Sequence, residues 1–272
     1  MTNQTENKTY YYTSFGVLYN IVTNRELWLN SIWSMADYTE IRYFIKAVQK
    51  HLETSQPLYS AQIKVFFKTV GKTLDKTDFF AMSLTKARDD VAMWERFAKS
   101  GKGVCLVFDL DKLMQFAENN GLMINELSYP TDIEQLGHSQ IIRHWITDKE
   151  LSGFADEESL IENFIMTSVF HKDPAFRSEK EIRMSTCWTP KFSNRIQYKL
   201  VSEMVRKAYI LKECSPNSVH KESDIRGDQA IAELLCEVII GPTSRQSERE
   251  LRDFLNEHQF SNTAVSKSTC PL

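Results

Sequence analysis

Five consecutive apolar residues, Val104-Cys105-Leu106-Val107-Phe108, constrain this chain more than any other feature. The run is far shorter than the roughly 20 apolar residues that a bilayer-crossing helix needs. A Gly101-Lys102-Gly103 turn precedes it, and Asp109-Leu110-Asp111 caps a helix after it. With no polar residue for either face, the segment reads as a strand buried on both sides, which requires layers of helix over the sheet that holds it.

The remaining pattern supplies those layers. Ser14 is a predicted N-cap for a helix with Val17, Leu18 and Ile21 on one face. Asp37 is a candidate cap for a helix through about residue 53, with Ile41, Phe44, Ile45 and Val48 at core spacing. Helices are also expected over 58–71, 131–149, 156–170, 227–235 and 244–258, the last begun by Ser244, and Asp89-Asp90 opens another carrying Val91, Trp94 and Phe97. Strands are expected at Tyr10–Thr13, Leu27–Leu29, Phe79–Leu84, 122–129, 181–188, 207–212, 236–240 and 263–267. Strands and helices mingle without a regular βα period, so the expected class is α+β, with a mixed sheet in one domain over 10–272 after a flexible leader, 1–9.

Composition narrows the function classes. The 33 Lys and Arg against 36 Asp and Glu give a net charge of −3, so a nucleic-acid partner would have to be held by a local patch and not by a bulk basic field. The first residues carry no basic start followed by an apolar core, which points to a cytoplasmic protein with no membrane partner. The five cysteines are odd in number and none forms a CxxC pair, so they read as small buried hydrophobes, and no metal is expected. No Gly-rich phosphate loop, HExxH or GxSxG occurs.

Polar residues interrupt the apolar strand patterns at three places. The first is Tyr10 to Ser14, with Trp28 and Asp37 beyond it; the second is Ser83 near a strand end, with Trp94 on the next helix. The third is His171 to Arg183, where Lys172, Arg177, Glu179, Glu181 and Arg183 crowd the entry to a strand. Period-two alternation would put Glu179, Glu181 and Arg183 on one face, a wall of two carboxylates and a guanidinium. The same spacing also fits a solvated edge strand with cross-strand ion pairs, the tyrosines fit an aromatic strand, and both tryptophans fit a core.

These segments, in order, resemble the bacterial "domain of unknown function 2971" family. The residues carrying the likeness are Tyr10-Tyr11-Tyr12-Thr13-Ser14, Leu27-Trp28-Leu29, Met35 to Glu40, Phe80-Ala81-Met82-Ser83, Met93-Trp94, Gly103 to Asp109, His171 to Phe176, Glu179 to Arg183 and Glu237 to Pro242. The family usually has His where this chain has Tyr11, and Asn-Asp where it has Ala36-Asp37. A tyrosine donates a hydrogen bond but carries no cation at neutral pH.

A looser likeness to ADP-ribosyltransferases implies a split sheet, NAD as substrate and a late Glu-x-Glu. On that resemblance Glu181 stabilises an oxocarbenium-like state as the nicotinamide bond breaks, and Glu179 orients or deprotonates an acceptor. Tyr12 would stack on nicotinamide, with Tyr11, Thr13 and Trp94 in the cofactor pocket. Ser83 would position Glu181, and Lys172 or Arg183 would neutralise the diphosphate. The acceptor could be a nucleic acid, a protein or water, and the setting a bacterial defence or toxin system. Two alternatives stand beside it: a catalytically silent binding or regulatory module, and a metal-dependent nucleic-acid hydrolase that uses Asp37.

Overall fold

The computed structural model describes residues 7–34, 40–134, 136–149, 153–186, 193–201, 204–213 and 230–272. The first elements are β1 (Lys8–Thr13), α1 (Phe15–Asn24), β2 (Glu26–Ser31), α2 (Glu40–Ser55), α3 (Ser60–Leu74) and β3 (Phe80–Thr85). They are followed by α4 (Val91–Phe97), β4 (Val104–Asp109), α5 (Leu110–Asn119), β5 (Leu122–Glu126), α6 (Gly137–Asp148), α7 (Glu157–Ser168) and β6 (Glu181–Thr186). The chain ends with β7 (Ile196–Val201), β8 (Met204–Lys212), α8 (Ile231–Leu234), β9 (Leu235–Ile240), α9 (Glu248–Glu257) and β10 (Ala264–Lys267).

Capping chemistry sets several of these boundaries. The Ser14 hydroxyl accepts from the Val17 amide, the Asp90 carboxylate from the Ala92 and Met93 amides, and Asp109 from the Lys112 amide. Ser247, not Ser244, caps α9. On α4 the buried pair is Met93 and Trp94, while Val91 and Phe97 are exposed, so the expected apolar face is rotated. Asp37, proposed as a cap, and most of the leader lie outside the described residues, although Lys8 and Thr9 already belong to β1.

The chain gathers into two compact units. One comprises the residues up to Ser31, Phe80–Asn125 and those from Glu179 onward; the other comprises Ile32–Phe79 and Glu126–Ser178. The first holds a mixed ten-stranded sheet in the order β10-β9-β4-β1-β3-β2-β8-β7, with β6 also on β3 and β5 on β6. β9 and β10 run parallel, while β1, β2, β3, β4, β6, β7 and β8 make antiparallel pairs. Val104 to Phe108 are buried throughout, as five apolar residues without a polar face require. One face packs Leu18, Ile21, Leu106, Phe108, Ile182 and neighbours; the other packs Tyr10, Tyr12, Met93, Trp94, Cys105 and Val107.

The second unit is helical. Phe44 of α2, Phe67 of α3 and Phe164 of α7 meet with ring centroids 5.8 and 6.0 Å apart through Phe164. The His171 ring stacks on Phe44 at 3.9 Å, and burial holds its pKa below the usual histidine value. No described helix is long and apolar enough to cross a membrane.

β3 is the pivot of the sheet. Along one edge it pairs with β6 at every residue from Ala81 to Thr85. Its other edge is shared: β2 meets it at Phe80 and Ala81, and β1 meets it at Thr85. The ten strands form one open sheet, and β1 and β2, the two strands that α1 connects, fork from the shared edge of β3.

Candidate functional site

Hydrogen-bond parity along β3 decides what the fork exposes. The Lys86 amide donates to the Lys180 carbonyl, so the residues two and four earlier, Leu84 and Met82, direct their peptide groups toward β6. Thr85, Ser83 and Ala81 face the opposite edge. The Ile32 amide, donating to the Phe79 carbonyl, gives the same parity from the β2 side. Thr85 then meets Tyr10 and Ala81 meets Asn30, but among the described residues no strand pairs with Ser83 on that edge. Its N–H and C=O point into the fork as an adjacent donor and acceptor.

A cavity of about 300 Å³ is lined by residues of β1, β2 and β3, Met82 among them and Ser83 not. Tyr11 of β1, Met82 of β3, and Glu26, Trp28 and Asn30 of β2 line it, together with Leu200 and the first turns of α1. Trp28 Nε1 donates to Glu26 Oε2 at 2.9 Å, and Lys212 Nζ donates to the other oxygen at 3.1 Å. The Lys199 ammonium sits 4.7 Å from the Trp28 ring centroid. Burial pushes the Tyr11 phenol above its ordinary pKa, although a hydrogen bond with Thr13 opposes this, so Tyr11 stays neutral there.

The nominated carboxylates are placed differently. On β6, Glu181 and Arg183 share one face and register with Thr85 and Ser83. Arg183 Nε and a terminal nitrogen contact Glu181 Oε1 at 2.8 and 2.7 Å. The Arg183 and Glu181 side chains are 1% and 4% exposed, so this is a desolvated ion pair. Ser83 stands opposite Arg183 and diagonal to Glu181.

Strand alternation does not extend to Glu179. That residue ends a 3-10 turn, Pro174–Glu179, and Lys180 takes a left-handed φ of 45° before β6 begins. The Thr85 hydroxyl holds the Glu179 carbonyl at 2.6 Å, while the Glu179 carboxylate meets Arg96 of α4 at 2.5 Å. The expected single wall is thus two separate ion pairs, because the left-handed residue turns the chain between them.

Alternation also separates the tyrosines. Tyr12 points away from Tyr11, its ring edge-on to Trp94 at 4.9 Å. Its hydroxyl donates to the Ala87 carbonyl and accepts from the Asp90 amide. Trp94 is fully buried and donates to Asp89. Thr13 is buried beside Val104, and Lys172 lies in the helical unit with its ammonium 5.0 Å from the Phe176 ring centroid. The structure therefore brings Ser83, Arg183 and Glu181 together and puts Tyr11 at the cavity, while Tyr12 and Trp94 form a closed core pair.

Glu26, Asn30 and Lys199 went unnoticed in the sequence. The alternation Ile196-Gln197-Tyr198-Lys199-Leu200-Val201 was the available signal for β7, a strand absent from the expectation. Among the described residues no group of three His, Cys, Asp or Glu could hold a metal ion. Comparison with known proteins yields no match to a curated protein and none to a solved structure. Over residues 93–184, from α4 to β6, the chain is similar to the family described as protein of unknown function (DUF2971), a stretch that includes Glu179, Glu181 and Arg183 but not the fork strands β1, β2 and β3.

Proposed function

We propose that the sheet unit binds NAD in the fork and breaks its N-glycosidic bond to nicotinamide, as an ADP-ribosyltransferase or NAD glycohydrolase. The observation that supports this reading is the cavity walled by Tyr11 and Trp28, with Met82 of β3 at its side. Asn30 and Glu26 line it with polar groups that a carboxamide can meet, and the nicotinamide ring fits between the apolar and aromatic walls. At about 300 Å³ the cavity takes one nucleoside half of a dinucleotide.

In the reaction the bond between ribose C1′ and the nicotinamide nitrogen breaks, the electron pair leaves with nicotinamide, and C1′ becomes oxocarbenium-like. Glu181 supplies the fixed negative charge, with Arg183 locking the carboxylate's orientation. An electrostatic contribution of this kind is worth on the order of 10²–10³ in rate. Glu179, oriented by Arg96, takes the proton of the attacking acceptor or water. The products are nicotinamide, the ADP-ribosylated acceptor or free ADP-ribose, and a proton.

The second reading, a catalytically silent binding or regulatory module of a bacterial defence or stress system, draws on a specific feature. Both carboxylates are already neutralised within the protein, Glu181 by Arg183 and Glu179 by Arg96. One experiment separates the two. Purified protein is incubated with NAD, nicotinamide release is followed by chromatography, and NAD binding is measured by calorimetry. Turnover that Glu181→Gln abolishes, with folding verified by circular dichroism, supports catalysis. Binding without turnover favours the silent module, and the absence of both sinks the NAD site.

A further inference from the structure

The cavity is too small for a whole dinucleotide, so on the NAD reading above the diphosphate must lie at its mouth. We infer that Lys199 is the diphosphate anchor of this site, with Trp28 as the surface that positions it. β7 flanks the cavity with two consecutive residues. Leu200 lines it, and Lys199, on the opposite face of the strand, reaches back to Trp28, which also lines it.

The charge balance singles out this lysine. Three charged groups surround the Trp28 indole: Glu26, Lys212 and Lys199. Glu26 is paired with Lys212 at 3.1 Å, and its second oxygen accepts from the indole N–H. Among the described residues Lys199 has no carboxylate partner; its contact is the aromatic face. A cation held by a ring quadrupole retains its donors and its full charge for an incoming anion. Glu26, Lys212 and Lys199 together carry one net positive charge around Trp28, a wall of the cavity, in a chain whose overall charge is negative. This favours a nucleoside diphosphate over a neutral nucleoside. Lys172, in contrast, belongs to the helical unit, and Arg183 is already paired with Glu181.

The test compares Lys199→Met and Lys199→Arg with the wild-type chain by calorimetry, using NAD, ADP-ribose and nicotinamide as probes. Methionine keeps the apolar stem, and the residue is half-exposed, so the fold should survive; a thermal melt checks this. A lost charge-assisted hydrogen bond predicts that Lys199→Met weakens NAD and ADP-ribose about tenfold or more. Nicotinamide affinity should be unchanged, and Lys199→Arg should restore most of the NAD affinity. The wild-type advantage should shrink at high salt. NAD affinity within twofold of wild type in Lys199→Met, or an equal loss for nicotinamide, overturns the assignment while the NAD reading stands. Wild-type protein that binds none of the three probes overturns both.

Discussion

Replacing Arg183 by Met tests whether the pair with Glu181 is as desolvated as it looks. The substitution keeps most of the apolar stem and removes the guanidinium that contacts the Glu181 carboxylate, which is 4% exposed. Removing one partner of a buried ion pair costs about 3–5 kcal/mol, because the remaining charge cannot recover its hydration. Against a typical total of about 5–15 kcal/mol this is a large loss. With a urea dependence near 3 kcal/mol per M, it moves the unfolding midpoint of the sheet unit down by roughly 1–2 M. The double variant Glu181→Gln with Arg183→Met should be clearly more stable than the sum of the two single losses implies, since the two side chains of one pair are coupled. Urea titration of the four proteins, followed by tryptophan fluorescence and circular dichroism, measures the coupling. An Arg183→Met variant within about 1 kcal/mol of wild type would refute the reasoning, because breaking a buried ion pair is not that cheap. Additive losses in the double variant would refute it equally.

Three further outcomes follow from local geometry. Gly103→Ala should destabilise by about 3 kcal/mol or more, since a Cβ there would stand 2.1 Å from the Thr13 carbonyl oxygen; a melting temperature unchanged from wild type would contradict the close approach of β1 and β4. Burial alone would raise the Asp89 pKa, but hydrogen bonds from Ser268, Trp94 and Thr269 outweigh it and hold the carboxyl below its ordinary value. A depressed folded-state pKa gives stability that is present above the unfolded value, near 4, and lost as pH falls through the folded one. The gap in urea midpoint between wild type and Asp89→Asn should therefore close on acidification below about pH 4, and a gap independent of pH would count against it. Burial pushes the Cys105 thiol far up, so iodoacetamide should leave it unmodified in the native protein and label it in urea, as peptide mass spectrometry would read.

Most elements were legible because each is a local periodicity. Ser14, Asp90 and Asp109 cap the helices their spacing announced, and Ile41, Phe44, Ile45 and Val48 are all buried on α2. Errors arose where a local rule was carried one residue too far. Alternation along β6 holds for Glu181 and Arg183 but not for Glu179, since a left-handed Lys180 intervenes, and a single residue's φ leaves no periodic trace. Along β1 the same alternation, applied strictly, already separates Tyr11 from Tyr12, so grouping both as ligand contacts was avoidable. The cavity was not legible, because Glu26, Asn30 and Leu200 meet Tyr11 only through the pairing of β2 with β3 and of β7 with β8.

The fork itself shows why a site would form at this point of the sheet. An interior strand edge has one partner at each position, and on β3 that edge is divided between β2 at its start and β1 at its end. Two residues of opposite peptide direction, Met82 and Leu84, satisfy β6, so the division falls on the one intervening residue that faces the other way, Ser83. A backbone donor and acceptor inside a protein must still be hydrogen-bonded, and here no strand supplies the bonds. The cavity joins the polar side chains of Glu26 and Asn30 to the rings of Tyr11 and Trp28, so it suits a ring that carries a polar substituent over a purely apolar ligand.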